Sequence, residues 1–237
     1  MTMNPSLDKQ VAVVLTGSVI QSYRRLEKTG LQNPKERLTD YLCAINRWVN
    51  QPEIDLVIYC DAGGFHIPEH VIDHVKFHSF AIDLRSVALT LGKGPAESQT
   101  IEYILKHCEV LPQNFFKCTG RLFVENFSEI TFQVKHNENM MHMKMNHQSQ
   151  EADTRFYWCY REYYQTKIQP HLDDNRDYEG IFIEHVFYRY CNKYMGFSDP
   201  IFVGRFGHSG HIYHCDYSQN ERTWAKEQID TYRLMKR

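Results

Sequence analysis

The sequence predicts an α/β fold with a mainly parallel central sheet flanked by helices, and three observations carry that expectation. Short β-branched runs alternate with amphipathic stretches through the first 125 residues, the order expected of parallel strands joined by right-handed crossovers. The runs Val11–Leu15 and Ile54–Cys60 are apolar without alternation, as strands covered on both faces are. Each closes on a polar turn, Thr16-Gly17-Ser18 and Asp61-Ala62-Gly63-Gly64, and such strand ends are where open α/β sheets gather ligands. A length of 237 residues suits a single domain with a sizeable buried core.

Taken in order, Val11–Leu15 is the first strand. From Glu36 to Val49 the apolar positions Leu38, Tyr41, Leu42, Ile45, Trp48 and Val49 recur every three or four residues, so one helix face packs on the sheet. Ile54–Cys60 is the second strand and Val75–Ile82 a weaker third. Gly92-Lys93-Gly94-Pro95 breaks the chain before a helix over about 96–108, whose inner stripe is Ile101, Ile104, Leu105 and Cys108. The run 114–124 then delivers Thr119, Gly120 and Arg121 into a turn. Ser128–Asp153 is polar, holds Met140-Met141-His142-Met143-Lys144-Met145 and has no clean period; it is expected to be a mobile excursion over the mouth of the site. A strand over 156–160, helices over 162–172 and 183–191, a Gly-rich loop at 207–211 and a final helix from about Glu221 complete the chain. No repeat, low-complexity tract or interdomain linker is visible.

Composition excludes several function classes. Lys plus Arg total 27 against 29 Asp plus Glu, so no global field favours nucleic acid and any anion site must be local. Neither an apolar signal segment near the N-terminus nor a run of about 18 apolar residues is present, so the expected location is the cytoplasm. The seven cysteines form no Cys-x-x-Cys pair and mostly sit in apolar runs, as reduced, buried thiols do. Aromatic residues make up 14%, which suits either an aromatic-rich core or a cleft that stacks on sugars.

The most specific stretch is Lys117-Cys118-Thr119-Gly120-Arg121, at the end of the fourth strand. Lys117 and Arg121 are suited to neutralising a diphosphate, Arg by its bidentate fork, with Thr119 and the Gly120 amide as further donors. The plainer alternative is a strand end with two solvated cations. Glu184, between Ile183 and Val186, would have its pKa raised by partial burial, as suits a general base; otherwise it is a solvated carboxylate. Asp153 and Arg155 either orient an acceptor or pair with each other. The amide-rich loop His208-Ser209-Gly210-His211 could close on a phosphate.

The segments Thr16-Gly17-Ser18, Tyr59-Cys60-Asp61-Ala62-Gly63, Gly92 to Tyr103, Phe115 to Arg121, Asp153 to Tyr157, Ile183 to Tyr188 and Gly207 to Gly210 together resemble bacterial capsule and lipopolysaccharide glycosyltransferases with a GT-A-like fold. The resemblance spans nearly the whole chain. It implies a nucleotide-sugar-binding half over 1–125 and an acceptor and catalytic half over 126–237. Thr16, Gly17 and Asp61 would bind the nucleoside, Lys93 and its adjacent glycines would approach the donor, and Lys117, Thr119, Gly120 and Arg121 would replace the metal motif. Glu184 falls where inverting members carry the base that deprotonates the acceptor hydroxyl. His185 replaces the second acid of the family's Glu-Asp pair, a departure from the pattern, and Asp153, Arg155, His208, Ser209 and Gly210 would serve acceptor or phosphate.

The family's usual Asp-x-Asp metal pair occurs nowhere in the chain, so no cofactor or divalent metal is expected beyond the donor substrate itself. The expected partners are a nucleotide-sugar donor and a glycan or lipid-linked glycan acceptor, with no nucleic acid. A lipid-linked acceptor would bring transient contact with the inner membrane face. Two rivals stand beside this reading. One is a non-catalytic nucleotide- or glycan-binding module. The other is a metal-dependent hydrolase built on His66, His70, His74 and His78 or on His208, His211 and His214.

Overall fold

The structure, a computed structural model, describes residues 10–21, 33–134, 140–206, 211–212 and 215–235. In chain order its elements are β1 (Ala12–Gly17), α1 (Pro34–Val49), β2 (Leu56–Asp61), α2 (Glu69–Ile72), β3 (Phe77–Ala81), α3 (Arg85–Thr90), α4 (Lys93–His107), β4 (Asn114–Thr119), β5 (Leu122–Val124), α5 (Phe127–Gln133), β6 (Met141–His142), β7 (Met145–Asn146), β8 (Glu151–Ala152), β9 (Phe156–Tyr160), α6 (Arg161–Tyr163), α7 (Ile183–Tyr190), β10 (Tyr194–Met195), β11 (Phe202–Phe206), β12 (His211–Ile212) and α8 (Gln219–Met235). Seven strands form the central sheet in the order β10-β6-β9-β4-β1-β2-β3, and β12-β11-β5 form a smaller one. Strands β3, β2, β1 and β4 are mutually parallel, whereas β9 runs antiparallel to both β4 and β6.

Alternation within the strands sends side chains to two cores. Val13 and Leu15 join Leu42, Ile45 and Trp48 of α1 and Ala225 and Ile229 of α8 on one face. Ala12 and Val14 join Ile101, Ile104 and Leu105 of α4 and Val186 and Phe187 of α7 on the other. This two-sided burial is why β1 and β2 are apolar throughout. Helix α1 begins where Asn33 accepts the Lys35 N–H at 2.9 Å and Pro34 occupies the first turn, both favourable start signals. Its Trp48 is fully buried yet satisfied, donating to the Leu122 carbonyl at 2.9 Å.

Three expectations need correction. The Ser128–Asp153 stretch is not an excursion where it is described: β6 lies inside the central sheet, and Met141, His142 and Met143 are fully buried. The methionines supply apolar bulk without the β-branched signature of a strand. The stretch over 162–172 is not a regular helix but a short α turn followed by a π turn over Tyr164–Ile168 and a 3₁₀ turn over Gln169–Asp174; Pro170 cannot donate into a continuing α ladder. Gly92-Lys93-Gly94-Pro95 begins α4 rather than preceding it, with Gly92 at φ 121° as N-cap, a backbone angle that favours glycine. Among the described residues no helix is long and apolar enough to cross a membrane, and all seven cysteines are free, with only Cys215 exposed.

Candidate active site

In the register of the sheet Thr16 lies beside both Cys60 and Thr119, and Gly17 beside Asp61. The carboxyl ends of β1, β2 and β4 are therefore flush. A cleft opens there, lined by Thr16, Gly17 and Ser18, by Ala62, by Lys93, Glu97 and Thr100 of α4, by Thr119 and Arg121, and by Arg37 and Tyr41 of α1. Tyr41 lies across the strand ends because the residues beneath it have no side chain. A Cβ on Gly17 would sit 2.7 Å from its ring, and one on Gly120 would sit 2.8 Å from the Thr16 carbonyl oxygen. The Tyr41 hydroxyl accepts the Ser18 N–H at 2.8 Å and a proton of Arg37 at 3.0 Å. As described, the cleft is nearly shut, with about 50 Å³ available to the centre of a water molecule.

Beneath the cleft runs a chain of polar contacts. Thr16 Oγ1 donates to Glu97 Oε1 at 3.0 Å, and the same carboxylate oxygen is ion-paired with the Lys117 ammonium. Lys117, 1% exposed, also donates to the Thr154 carbonyl at 2.7 Å. Thr154 Oγ1 in turn donates to Glu184 Oε1 at 3.2 Å. Burial alone would raise the Glu97 pKa, but the charges of Lys117 and Lys93 with the two hydrogen bonds hold it below the ordinary carboxylate value. Glu184 behaves oppositely: burial, reinforced by the nearby Glu97 charge, raises its pKa against the opposing pull of Lys93 and Thr154. Two neighbouring carboxylates with pKa values pushed apart is the arrangement that separates a standing anion from a proton acceptor.

Of the residues expected in the site, Thr16, Gly17, Lys93, Thr119 and Arg121 do line the cleft, and Glu184 lies close enough to Glu97 and Lys93 for their charges to act on it. Others are placed differently. Lys117 lies under the floor with its charge matched by Glu97, so it does not face a diphosphate directly. The Gly120 N–H is spent on the Thr16 carbonyl at 2.9 Å. Asp61 is fully buried and accepts from Tyr59 Oη and the Val19 N–H, both at 2.7 Å, and from the Gly63 and Phe65 N–H groups at 2.8 and 3.1 Å. It shapes the loops after β1 and β2 instead of presenting itself to a nucleoside.

Asp153 and Arg155 form a bidentate pair at 2.6 and 2.7 Å, the structural alternative raised from the sequence, with the guanidinium 5.1 Å from the centre of the Phe202 ring. His185 Nδ1 accepts the Phe182 N–H at 3.1 Å and its Nε2 faces Glu151 at 3.5 Å. His208, Ser209 and Gly210 lie outside the described residues.

Sequence reading missed Glu97, Arg37, Thr154 and Asp177. Glu97 was legible in retrospect, because Lys93, Ala96, Glu97 and Thr100 share one face of α4 and small residues there signal an approach to the strand ends. Asp177 has no comparable signal. It reaches from a distant segment to accept the Gly94 N–H at 2.8 Å, filling the anion-attracting start of α4, so that helix meets the cleft through side chains, Lys93, Glu97 and Thr100. Burial raises the Asp177 pKa against those backbone hydrogen bonds.

The donor set does not suit a divalent ion. Arg37, Lys93 and Arg121 line the cleft with one carboxylate, Glu97, whose Oε1 is held by Lys117 and Thr16. Among the described residues no three His, Cys, Asp or Glu side chains gather as ligands. That includes His66, His70, His74 and His78; the second histidine group falls largely outside the described residues.

The parallel β3-β2-β1-β4 core, the antiparallel β9 beside it and the cleft at the strand ends define a GT-A-like α/β fold. The same architecture is found in the glycosyltransferase GlyE of Streptococcus pneumoniae, with a TM-score of 0.54 at 9% identity over 93% of this chain and 60% of that one. This chain thus spans about 60% of the length of GlyE. Weaker likenesses are to the galactosyltransferase LgtC (TM-score 0.46, 9% identity, 79% of this chain and 72% of that one) and to the inositol-1-phosphate CTP transferase of T. maritima (0.48, 11%, 94% and 96%). No protein-family model matches the chain, and no curated protein matches it. What GlyE shares with the chain is the fold.

Proposed function

We propose that this protein is a glycosyltransferase that moves a sugar from a nucleotide-diphosphate-sugar donor to a surface-polysaccharide acceptor of the capsule or lipopolysaccharide kind, with inversion and without a divalent metal. The observation that supports the reading is the gathering of three cations, Arg37, Lys93 and Arg121, in the cleft at the strands' carboxyl ends, within electrostatic reach of a carboxylate, Glu184, whose pKa burial raises. The acceptor hydroxyl attacks the anomeric carbon while Glu184 takes its proton. The bond from that carbon to the diphosphate oxygen breaks, and the departing negative charge falls on the three cations, which act in place of a metal. Thr154 orients Glu184, and Lys117 fixes Thr154 and Glu97. Because the described cleft is nearly shut, its walls must part for the donor. The proposed site of action is the cytoplasm, with peripheral contact at the inner membrane face when the acceptor is lipid-linked.

The test is release of nucleoside diphosphate from a panel of UDP-, GDP-, ADP- and dTDP-sugars, followed by chromatography in EDTA, with Glu184→Gln as control. Release by the wild-type protein and its loss in the variant are expected. Nucleotide-sugar binding with no release from any donor would instead mark a non-catalytic binding module, and equal release by the variant would remove Glu184 from the mechanism.

A further inference from the structure

Helix α4 begins in a cradle made by two glycines. A Cβ on Gly94 would stand 2.6 Å from the Asn175 amide nitrogen and 2.8 Å from Asp177 Oδ1, and one on Gly92 would overlap the Asp177 side chain. Two polar side chains from the segment before α7 thus press on the first turn of a 15-residue helix, where backbone N–H groups lack partners and the helix dipole favours an anion. Asp177 Oδ2 takes the Gly94 N–H at 2.8 Å.

The carboxylate fits this place incompletely. Burial raises its pKa, and the Glu97 charge adds to that, against the pull of the Gly94 and Lys93 amides and the Lys93 ammonium. Asn175 is 2% exposed, and neither its amide nitrogen nor its amide oxygen has a hydrogen-bond partner, although it lies against the same Gly94 surface as Asp177 Oδ1. Buried amides are rarely left unpaired, and one that is calls for an explanation. A carboxylate offers two oxygens in one plane. A phosphoryl group presents three around a tetrahedron, enough to take the Gly94 N–H, the Asn175 amide and the Lys93 ammonium together.

We propose that the start of α4 is an oxyanion pocket for a phosphoryl group, and that Asp177 holds it closed as an internal substitute for that ligand. The pocket adjoins the donor cleft through Lys93, which lines that cleft and whose charge acts on both Asp177 and Glu184. The segment that must withdraw runs along the surface, with Arg176, Tyr178, Glu179 and Gly180 exposed. Besides the bond to Gly94 it is tied to the neighbouring turns by Tyr178 Oη, which donates to the Ala88 carbonyl at 3.0 Å, and by the Asp177 N–H, which donates to the Leu91 carbonyl at 3.1 Å. Withdrawal of Asp177 frees the Gly94 N–H and the Lys93 ammonium and bares Asn175. The oxyanion pocket stands without the transferase reading; that its phosphoryl group belongs to a sugar donor rests on that reading.

The experiment is isothermal titration of the whole chain with inorganic phosphate, inorganic pyrophosphate, UDP, GDP, ADP and dTDP. Asp177→Ala should bind pyrophosphate about tenfold or more tightly than the wild type, the scale of a charge-assisted hydrogen bond, and adding Asn175→Ala should remove most of that gain. Asp177→Asn deletes the charge but keeps an oxygen for the Gly94 N–H, so it should shift affinity in the same direction, and it decides the question if the Ala variant fails to fold. A carboxylate that serves only to cap α4 predicts otherwise: a lower melting temperature on Asp177→Ala, with anion affinity unchanged or weaker. An equal gain with one of the nucleoside diphosphates would support a sugar donor's diphosphate as the natural occupant. A gain confined to the inorganic anions upholds the pocket and counts against the transferase reading. The proposal is overturned if no anion binds the wild type or either Asp177 variant, if removing the carboxylate leaves affinity unchanged or lowers it, or if the gain survives Asn175→Ala.

Discussion

Removing the Lys117 ammonium probes the polar chain beneath the cleft most sharply. Lys117 is 1% exposed and its partner Glu97 13%, so Lys117→Met leaves a buried carboxylate with only the Thr16 hydrogen bond and the more distant Lys93 charge. Breaking one side of a buried pair costs about 3–5 kcal/mol, and for a chain of this size about 2–4 °C of melting temperature accompanies each kcal/mol. A fall of roughly 6–20 °C follows. The sign with pH is also fixed. In the wild type Glu97 titrates below its ordinary value, so its contribution is present above the unfolded pKa and lost as pH falls through the folded one. Without Lys117 the opposition to burial weakens, the Glu97 pKa rises relative to the wild type, and the loss on substitution grows as pH rises. The variant should therefore lose less stability at pH 5 than at pH 8. Adding Glu97→Gln should recover most of the loss. Urea unfolding followed by the fluorescence of Trp48 and Trp158 measures all three proteins. A single-variant loss below about 1 kcal/mol, no pH dependence, or a double variant no better than Lys117→Met would refute the account.

Further consequences follow from other contacts. Glu184→Gln should abolish product release yet leave the melting temperature equal or higher at pH 8, because a carboxylate whose folded pKa is raised destabilises the fold as pH rises; a stability loss on differential scanning calorimetry would contradict this. Wild-type turnover should fall on acidification through a pKa above the ordinary carboxylate range, readable in a kcat–pH profile. Gly120→Ala should cost about 1–3 kcal/mol, since its Cβ would meet the Thr16 carbonyl at 2.8 Å, and an unchanged urea midpoint would argue against that crowding. Arg47 binds Glu221 at 2.6 and 3.1 Å; burial opposes ionisation, but Arg47 and Ser218 hold the Glu221 pKa down to about 2. The stability gap between wild type and Glu221→Gln should thus be full at pH 7 and close as pH falls from about 4.3 through that value, and a gap that persists at pH 2 would refute the assignment.

Local patterns made the scaffold legible, while long-range contacts decided the site. β1, α1, β2 and α4 announced themselves because two-sided burial makes a strand uniformly apolar and one-sided burial gives a helix a stripe. β6 was hidden by methionine and histidine, which carry no strand signature although both are fully buried there. Thr16, Lys93, Thr119 and Arg121 line the cleft because they stand at strand and helix ends, positions the sequence pattern shows. Lys117 was misplaced because a cation near a strand end looks solvated until its partner is known, and Glu97, 20 positions away, lies on another element. Asp61 misled for a similar reason. A carboxylate closing a strand resembles a ligand-binding group, but its four hydrogen bonds within the protein only become visible once the neighbouring loops are folded.

The central proposal is that Lys93 at the start of α4 and Arg121 just after β4, and no metal, hold the donor's diphosphate. Isothermal titration of the active nucleotide sugar in EDTA, then in Mn²⁺, against the wild type and Lys93→Ala/Arg121→Ala tests it directly. The account predicts the same affinity in both buffers and a loss in the double variant of about tenfold or more, the scale of a charge-assisted hydrogen bond. Binding that requires Mn²⁺, or that is indifferent to both cations, would contradict it.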